Sequence, residues 1–212
     1  AGIMSVGNTT NWFRNVFMGK EEKAFSGLEK TASYVPAGSR GLIFFPSMLG
    51  QRNPVEDTSA KGIFLGLDIE HRTEHMFRAV LEGIAMGMKE ISETIIPACG
   101  KPESLILSGG GADNDLWCQI FADVFQITVK RVESGAFCGA RGAAVLAMGC
   151  EKDKENLRKL FRNNRVERTW EPTKENAAVY EDLFSIYKTV YAENREEFAR
   201  IRKFREKYEK SQ

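Results

Sequence analysis

Three features in close succession constrain this chain most. Ser104, Leu105, Ile106 and Leu107 form a short apolar run, and Gly109, Gly110, Gly111 and Ala112 follow as a small-residue turn. From Asn114 to Phe125, Leu116, Trp117, Ile120, Phe121 and Val124 then fall at helical spacing. The period switches from that of a strand to that of a helix across a tight turn, which is the signature of a helix packed back on a sheet. Other strand candidates lie at Leu42 to Phe45, Gly62 to Leu67 and Ile127 to Val132, each bounded by turn residues. Alternating strands and helices predict an α/β fold, with strands near Leu42, Phe64, Leu105 and Val129 in one mixed sheet flanked by helices.

The longest helix expected runs from about Thr73 to Ile96, with Phe77, Val80, Leu81, Ile84, Met88, Ile91 and Ile95 as its apolar stripe. Glu82, Lys89, Glu90 and Glu93 fall on the other face, and Pro97 with Gly100 closes it. Shorter helices are expected at 11–17, up to Thr31, at 139–149 and at 152–161. An irregular link leads through Pro172 to a last helix from Lys174 that carries Tyr180, Leu183, Phe184, Tyr187, Val190 and Tyr191. Its end, 203–212, is expected to fray.

Thirty Lys and Arg against twenty-nine Asp and Glu give a net charge of +1, so no global field favours nucleic acid or an anionic membrane. The apolar runs are far shorter than the ~18 to 20 residues that span a bilayer. Cys99, Cys118, Cys138 and Cys150 form no Cys-x-x-Cys pair, which points to a cytoplasmic chain without a zinc knot or disulfide framework. The chain opens Ala-Gly-Ile, and its first residues read as the middle of a longer protein.

Among chemical motifs, His71-Arg72-Thr73-Glu74-His75 has the letters of an inverted zinc-peptidase string. It is set aside because His71 precedes the expected N-cap at Thr73, so the two imidazoles do not share a helix face. No metal site is expected. The glycine turn is the better candidate, since backbone without side chains lets a ligand approach a helix start. It is neither a Walker A loop, which needs Lys followed by Ser or Thr, nor G-x-G-x-x-G, because Asn114 stands at the third glycine. Trp12, Trp117 and Trp170 read as packing residues, and Glu56-Asp57 as solvated loop acids. No Ser-His-Asp or Cys-His set is assignable.

The order of motifs resembles the C-terminal domain of the FGGY carbohydrate kinases, closest to the xylulose and related pentulose kinases, over nearly the whole chain. Gly62-Ile-Phe-Leu-Gly66-Leu67, seven residues, then His75-Met76-x-x-Ala79-Val80-Leu81-Glu82 is similar to the family's second signature. Gly7-Asn8-Thr9-x-x-Trp12-Phe13-Arg14, Phe45-Pro46-x-x-x-Gly50-x-Arg52-x-Pro54 and Ser108-Gly-Gly-Gly-Ala112-x-x-x-Leu116-Trp117-x-Gln119 resemble other family segments.

The resemblance implies an actin-like ATPase (ribonuclease H-like) fold, with residues 1–212 as the C-terminal, mainly nucleotide-binding domain of a two-domain sugar kinase. It implies ATP and Mg²⁺ as cofactors, Gly7 and Asn11 near the phosphates, and Gly110, Gly111, Ala112 and Asp115 lining the adenosine pocket. Asp115 stands where related glycerol kinases have an amide. At Gly111 a side chain is expected to project toward the nucleotide. The sugar site and catalytic Asp are expected upstream of Ala1, so no residue here is assigned as general base and the isolated chain is expected to be inactive. A homodimer stays open, as does the alternative of a non-catalytic actin-like module that binds nucleotide or a partner protein.

Overall fold

The computed structural model describes residues 3, 6–18, 22–133, 135–149 and 165–208. By compactness the chain divides into two units, Ala1–Lys101 with Thr173–Gln212, and Pro102–Pro172. The larger unit contains α1 (Val6–Phe17), α2 (Glu22–Ser33), β1 (Ile43–Phe45), β2 (Ile63–Leu65) and α3 (Thr73–Cys99). The smaller contains β3 (Ser104–Leu107), α4 (Asp115–Phe125), β4 (Thr128–Val132), α5 (Cys138–Gly149) and β5 (Val166–Trp170). The chain returns to the larger unit with α6 (Lys174–Tyr208).

In the larger unit α3 is the core. From Phe77 to Gly87 every residue is buried, because β1, α1, α2 and α6 pack around it. Gly83 is where the strand comes closest, since a Cβ there would lie 1.9 Å from the Phe44 carbonyl oxygen. Only glycine lets β1 lie on the helix at that point. The antiparallel pair β1–β2 sets Phe44 opposite Phe64, with ring centroids 4.7 Å apart. On its other flank Phe45 meets Tyr187 and Phe198 of α6.

Glu82 departs from its expected solvated face and is fully buried. Its carboxylate accepts from Gly38 N–H at 3.0 Å, Ser39 Oγ at 2.7 Å, Arg78 Nε at 2.7 Å and Tyr180 Oη at 2.8 Å. A buried charge is tolerable when paired and hydrogen-bonded in this way. The network also fixes a turn in which Gly38, Ser39, Arg40 and Gly41 all have positive φ. Ser39 and Arg40 are strained in that region, and His71 Nε2 adds a contact to the Ser39 carbonyl at 3.2 Å.

The smaller unit holds a three-stranded sheet in the order β3-β4-β5, with β3–β4 parallel and β4–β5 antiparallel. α4 is the crossover between the parallel strands and buries Trp117, Cys118, Ile120, Phe121 and Val124. Four expected elements need correction. Among the described residues the strands form two sheets, one in each unit, because β1 and β2 bond there only to each other. The link before Pro172 is a strand, β5, whose ladder to β4 supplies the order that its polar sequence hides. α3 begins at Thr73 with Arg72 as N-cap, and it runs through Pro97 to Cys99 before Gly100 caps it. α6 stays helical through Tyr208, past the point where fraying was expected. The helix expected at 152–161 and the tail 209–212 lie outside the described residues.

Candidate nucleotide site

The glycine turn is built from its neighbours inward. Gly109 has φ 85°, a conformation glycine adopts freely, and its N–H donates to the Gly135 carbonyl at 3.0 Å. Residues Gly110–Asp113 then close a 3₁₀ turn, with Ala112 N–H donating to Gly109 O at 2.9 Å. Asn114 caps α4 by accepting from Trp117 N–H at 2.9 Å, which is the usual service of a short polar side chain at a helix start.

The expected site residues of this unit differ in what surrounds them. A Cβ on Gly110 would meet nothing within 4 Å, and its φ lies outside the positive range. A Cβ on Gly111 would lie 2.7 Å from Cζ3 of Trp117, so a side chain there points into the indole and not toward a ligand. The open direction expected at Gly111 therefore belongs to Gly110. Ala112 is buried, and its carbonyl accepts from Cys118 Sγ at 3.3 Å and Arg131 Nη1 at 3.2 Å.

Asp115 is exposed, yet its carboxylate is engaged on both oxygens. Arg131 Nη1 donates to Oδ1 at 3.0 Å, and Arg168 Nη1 donates to Oδ2. Arg131 also reaches Glu167 at 3.1 Å, and both guanidiniums lie over the Trp170 ring, 5.2 and 5.0 Å from its centroid. Arg131 and Arg168 stand directly opposite each other across β4 and β5. Like charges in that position repel, and Asp115 and Glu167 offset the repulsion while tying the start of α4 to the sheet. Sequence reasoning missed Arg131, Glu167 and Arg168. Their signal is the pairing register, which exists only once β5 is recognised as a strand.

Gly7 and Asn11 belong to the larger unit and lie one turn apart on α1, both exposed. A Cβ on Gly7 would meet nothing within 4 Å, and its carbonyl accepts from Thr10 Oγ1 at 3.0 Å. Around the zinc-like string, His71 Nδ1 accepts from Asp68 N–H at 3.0 Å and His75 Nδ1 from Arg72 N–H at 3.2 Å. Among the described residues no group of three His, Cys, Asp or Glu could hold a metal ion, and no helix is long and apolar enough to cross a membrane. Trp117 and Trp170 are core residues, while Trp12 packs by its edge on Phe13 and Phe17.

The C-terminal domain model of the FGGY family of carbohydrate kinases matches residues 1–149. The chain belongs to that family. It is 30% identical to the xylulose kinase of Bacillus subtilis (strain 168) over 204 residues, which is 95% of this chain and 40% of that protein. Ligand-bound xylulose kinase from Lactobacillus acidophilus superposes with a TM-score of 0.75 at 28% identity, over 92% of this chain and 39% of that one. Gluconate kinase from the same organism gives 0.74 at 28%, with the same coverage. The chain therefore spans about 40% of the length of the curated relatives it matches, and its fold is the actin-like one of these kinases.

Proposed function

We propose that the whole protein phosphorylates a sugar hydroxyl with ATP, the sugar being xylulose or a related pentulose, and that this chain is its C-terminal, mainly nucleotide-binding domain. The observation that carries the reading is the turn between β3 and α4, where Gly110 presents backbone with nothing within 4 Å of where a side chain would be. Family membership and the likeness to xylulose kinases support it. Gly110 and Gly111 would form the wall on which adenosine lies. Asp115, held by Arg131 and Arg168, fixes that wall and has little freedom to turn toward a base. Gly7 and Asn11 would face the phosphates, where an uncrowded glycine permits close approach.

Mg²⁺ enters this reading with the triphosphate, because Mg²⁺ in kinases is held largely by substrate phosphates and water with one or two carboxylates. The general base and sugar contacts are assigned to the part of the relatives that lies outside the match. The reaction is in-line transfer of the γ-phosphoryl group, in which positioning and charge neutralisation do most of the catalytic work. The cytoplasm, where ATP is present and thiols stay reduced, is the compartment this reading assigns.

The test is a pair of substitutions in the 212-residue chain. Gly110→Val should leave the melting temperature near that of the parent and weaken ATP binding about tenfold or more in a calorimetric titration. That loss corresponds to at least about 1.4 kcal/mol. Gly111→Val should lower stability instead, by driving a branched side chain into Trp117. Unchanged ATP affinity in Gly110→Val would sink the assignment. Phosphorylation of xylulose by the chain alone would show that the catalytic base is not where this reading puts it.

A further inference from the structure

The loop after β1 carries an atom that the fold leaves unserved. Gln51 is held firmly by its backbone, which donates to Asp57 O at 2.8 Å and accepts from Asp57 N–H at 2.9 Å. The residue is only 8% exposed. Its side-chain Oε1 is buried, and among the described residues it has no hydrogen-bond partner. Buried acceptors in that condition are rare, and proteins commonly serve them with a bound water or ion.

Beside it lies a cavity of about 20 Å³ whose lining includes Ser47, Gln51, Gly87, Glu90 and Tyr187. A space of that size takes one particle as large as a water molecule. Glu90, on α3, is a carboxylate whose pKa is pushed up by burial and then by the charge of Glu93, with Lys188 pulling the other way. The Tyr187 hydroxyl, from α6, stands at the wall, since a Cβ on Gly87 would lie 2.8 Å from it. Burial, and after it the Glu90 charge, holds that hydroxyl well above its ordinary pKa, so it stays neutral and offers a lone pair.

Gln51 from the loop after β1, Glu90 from α3 and Tyr187 from α6 therefore line one small space, and Glu90 is the one carboxylate in that lining. A water would serve Gln51 alone, whereas a cation would also meet the half-buried Glu90 carboxylate, on which Lys188 acts from outside the lining. A divalent ion holds its water more tightly and calls for more carboxylate charge than the single Glu90 of this lining supplies. Oxygen dipoles with a single carboxylate suit a weakly hydrated monovalent ion, whose hydration shell such groups can replace.

We propose that this cavity binds a monovalent cation of the size of potassium or ammonium, ligated by Gln51 Oε1, the Glu90 carboxylate and Tyr187 Oη. The ion ties the loop after β1 to α3 and α6. Arg52, an exposed residue that also lines the cavity, opposes it electrostatically, so Arg52→Gln should strengthen ion binding.

The experiment compares melting temperatures of the 212-residue chain in potassium, ammonium, sodium and choline chloride at equal ionic strength. Potassium and ammonium should raise the melting temperature above choline by roughly 3–6 °C for each tenfold excess over Kd, and sodium by less. Gln51→Leu should abolish the difference while melting in choline no lower than the parent, because it removes the unserved acceptor. Thallium-205 NMR of the unaltered chain gives an answer that needs no variant, a bound resonance displaced by potassium. Equal melting in potassium and choline would mean that the cavity holds water only and would overturn the proposal. So would an ion response that survives Gln51→Leu. Nucleotide affinity is not read in any arm, so this result is separate from the fate of the glycine turn.

Discussion

Replacing Glu82 by Leu should destabilise the larger unit by about 3–5 kcal/mol, the usual cost of leaving the partner of a buried ion pair without its counter-charge. Arg78 is that partner, with a side chain only 6% exposed. Burial alone would lower its pKa, but Glu82 and the Tyr180 hydroxyl hold it above the ordinary value. The substitution also takes the acceptor from Gly38 N–H, Ser39 Oγ and Tyr180 Oη. Arg78→Met should cost a comparable amount for the mirror-image reason. The double variant removes both charges and should lose far less than the sum, because an apolar pair of similar volume often replaces a buried ion pair at little cost. What remains is chiefly the orphaned Gly38 N–H, worth about 1–3 kcal/mol when left unsatisfied, because the two hydroxyls can rotate to another partner. Urea unfolding measures the three variants, with a constant m-value as the check that the same surface unfolds. Additivity of the single effects within about 0.5 kcal/mol would refute the argument, because independent sites add and coupled ones do not. A loss below about 1 kcal/mol for Glu82→Leu would refute it as well.

Two further expectations concern titrating groups. Burial pushes the Cys118 thiol up to about 11, so native alkylation near neutral pH followed by mass spectrometry should label exposed Cys99 and leave Cys118 untouched; equal labelling would contradict its burial. Burial by itself would raise the Asp57 pKa, but hydrogen bonds from Ser59 N–H and then from Tyr191 Oη outweigh it and hold the carboxyl below its ordinary value. A carboxyl depressed in the folded state lends stability above its unfolded pKa, and that contribution fades as pH falls through the folded value. Tyr191→Phe should therefore shrink the loss of stability on acidification below about pH 4, measured as unfolding free energy against pH. An unchanged acid limb would contradict the role given to Tyr191.

Local pattern made several elements legible before any contact was known. Phe77, Val80, Leu81 and Ile84 fix α3 because their spacing has one helical solution, and the small residues before Asn114 fix the turn into α4. β5 was not legible. Val166, Glu167, Arg168 and Thr169 are exposed and show no alternation, and only the ladder to β4 makes them a strand. The site residues divide in the same way. The sequence marks Gly110 and Gly111 alike as small residues beside a helix start. Which of them faces open space depends on Trp117, whose ring fills the direction a Gly111 side chain would take.

By itself, then, the sequence determined the α/β order of elements, the glycine turn and membership of a kinase family, because short-range periodicity and motif spacing are written in neighbouring residues. The tertiary structure alone decided that Glu82 is a buried charge under a left-handed turn, that Asp115 is held by two arginines, and that Gln51, with its buried Oε1, lines a cavity. Each of those depends on groups brought together from distant points in the chain, such as Gly38 with Tyr180 and Asp115 with Arg168. Burial and pairing are properties of the assembled environment, and a residue's own letter carries neither.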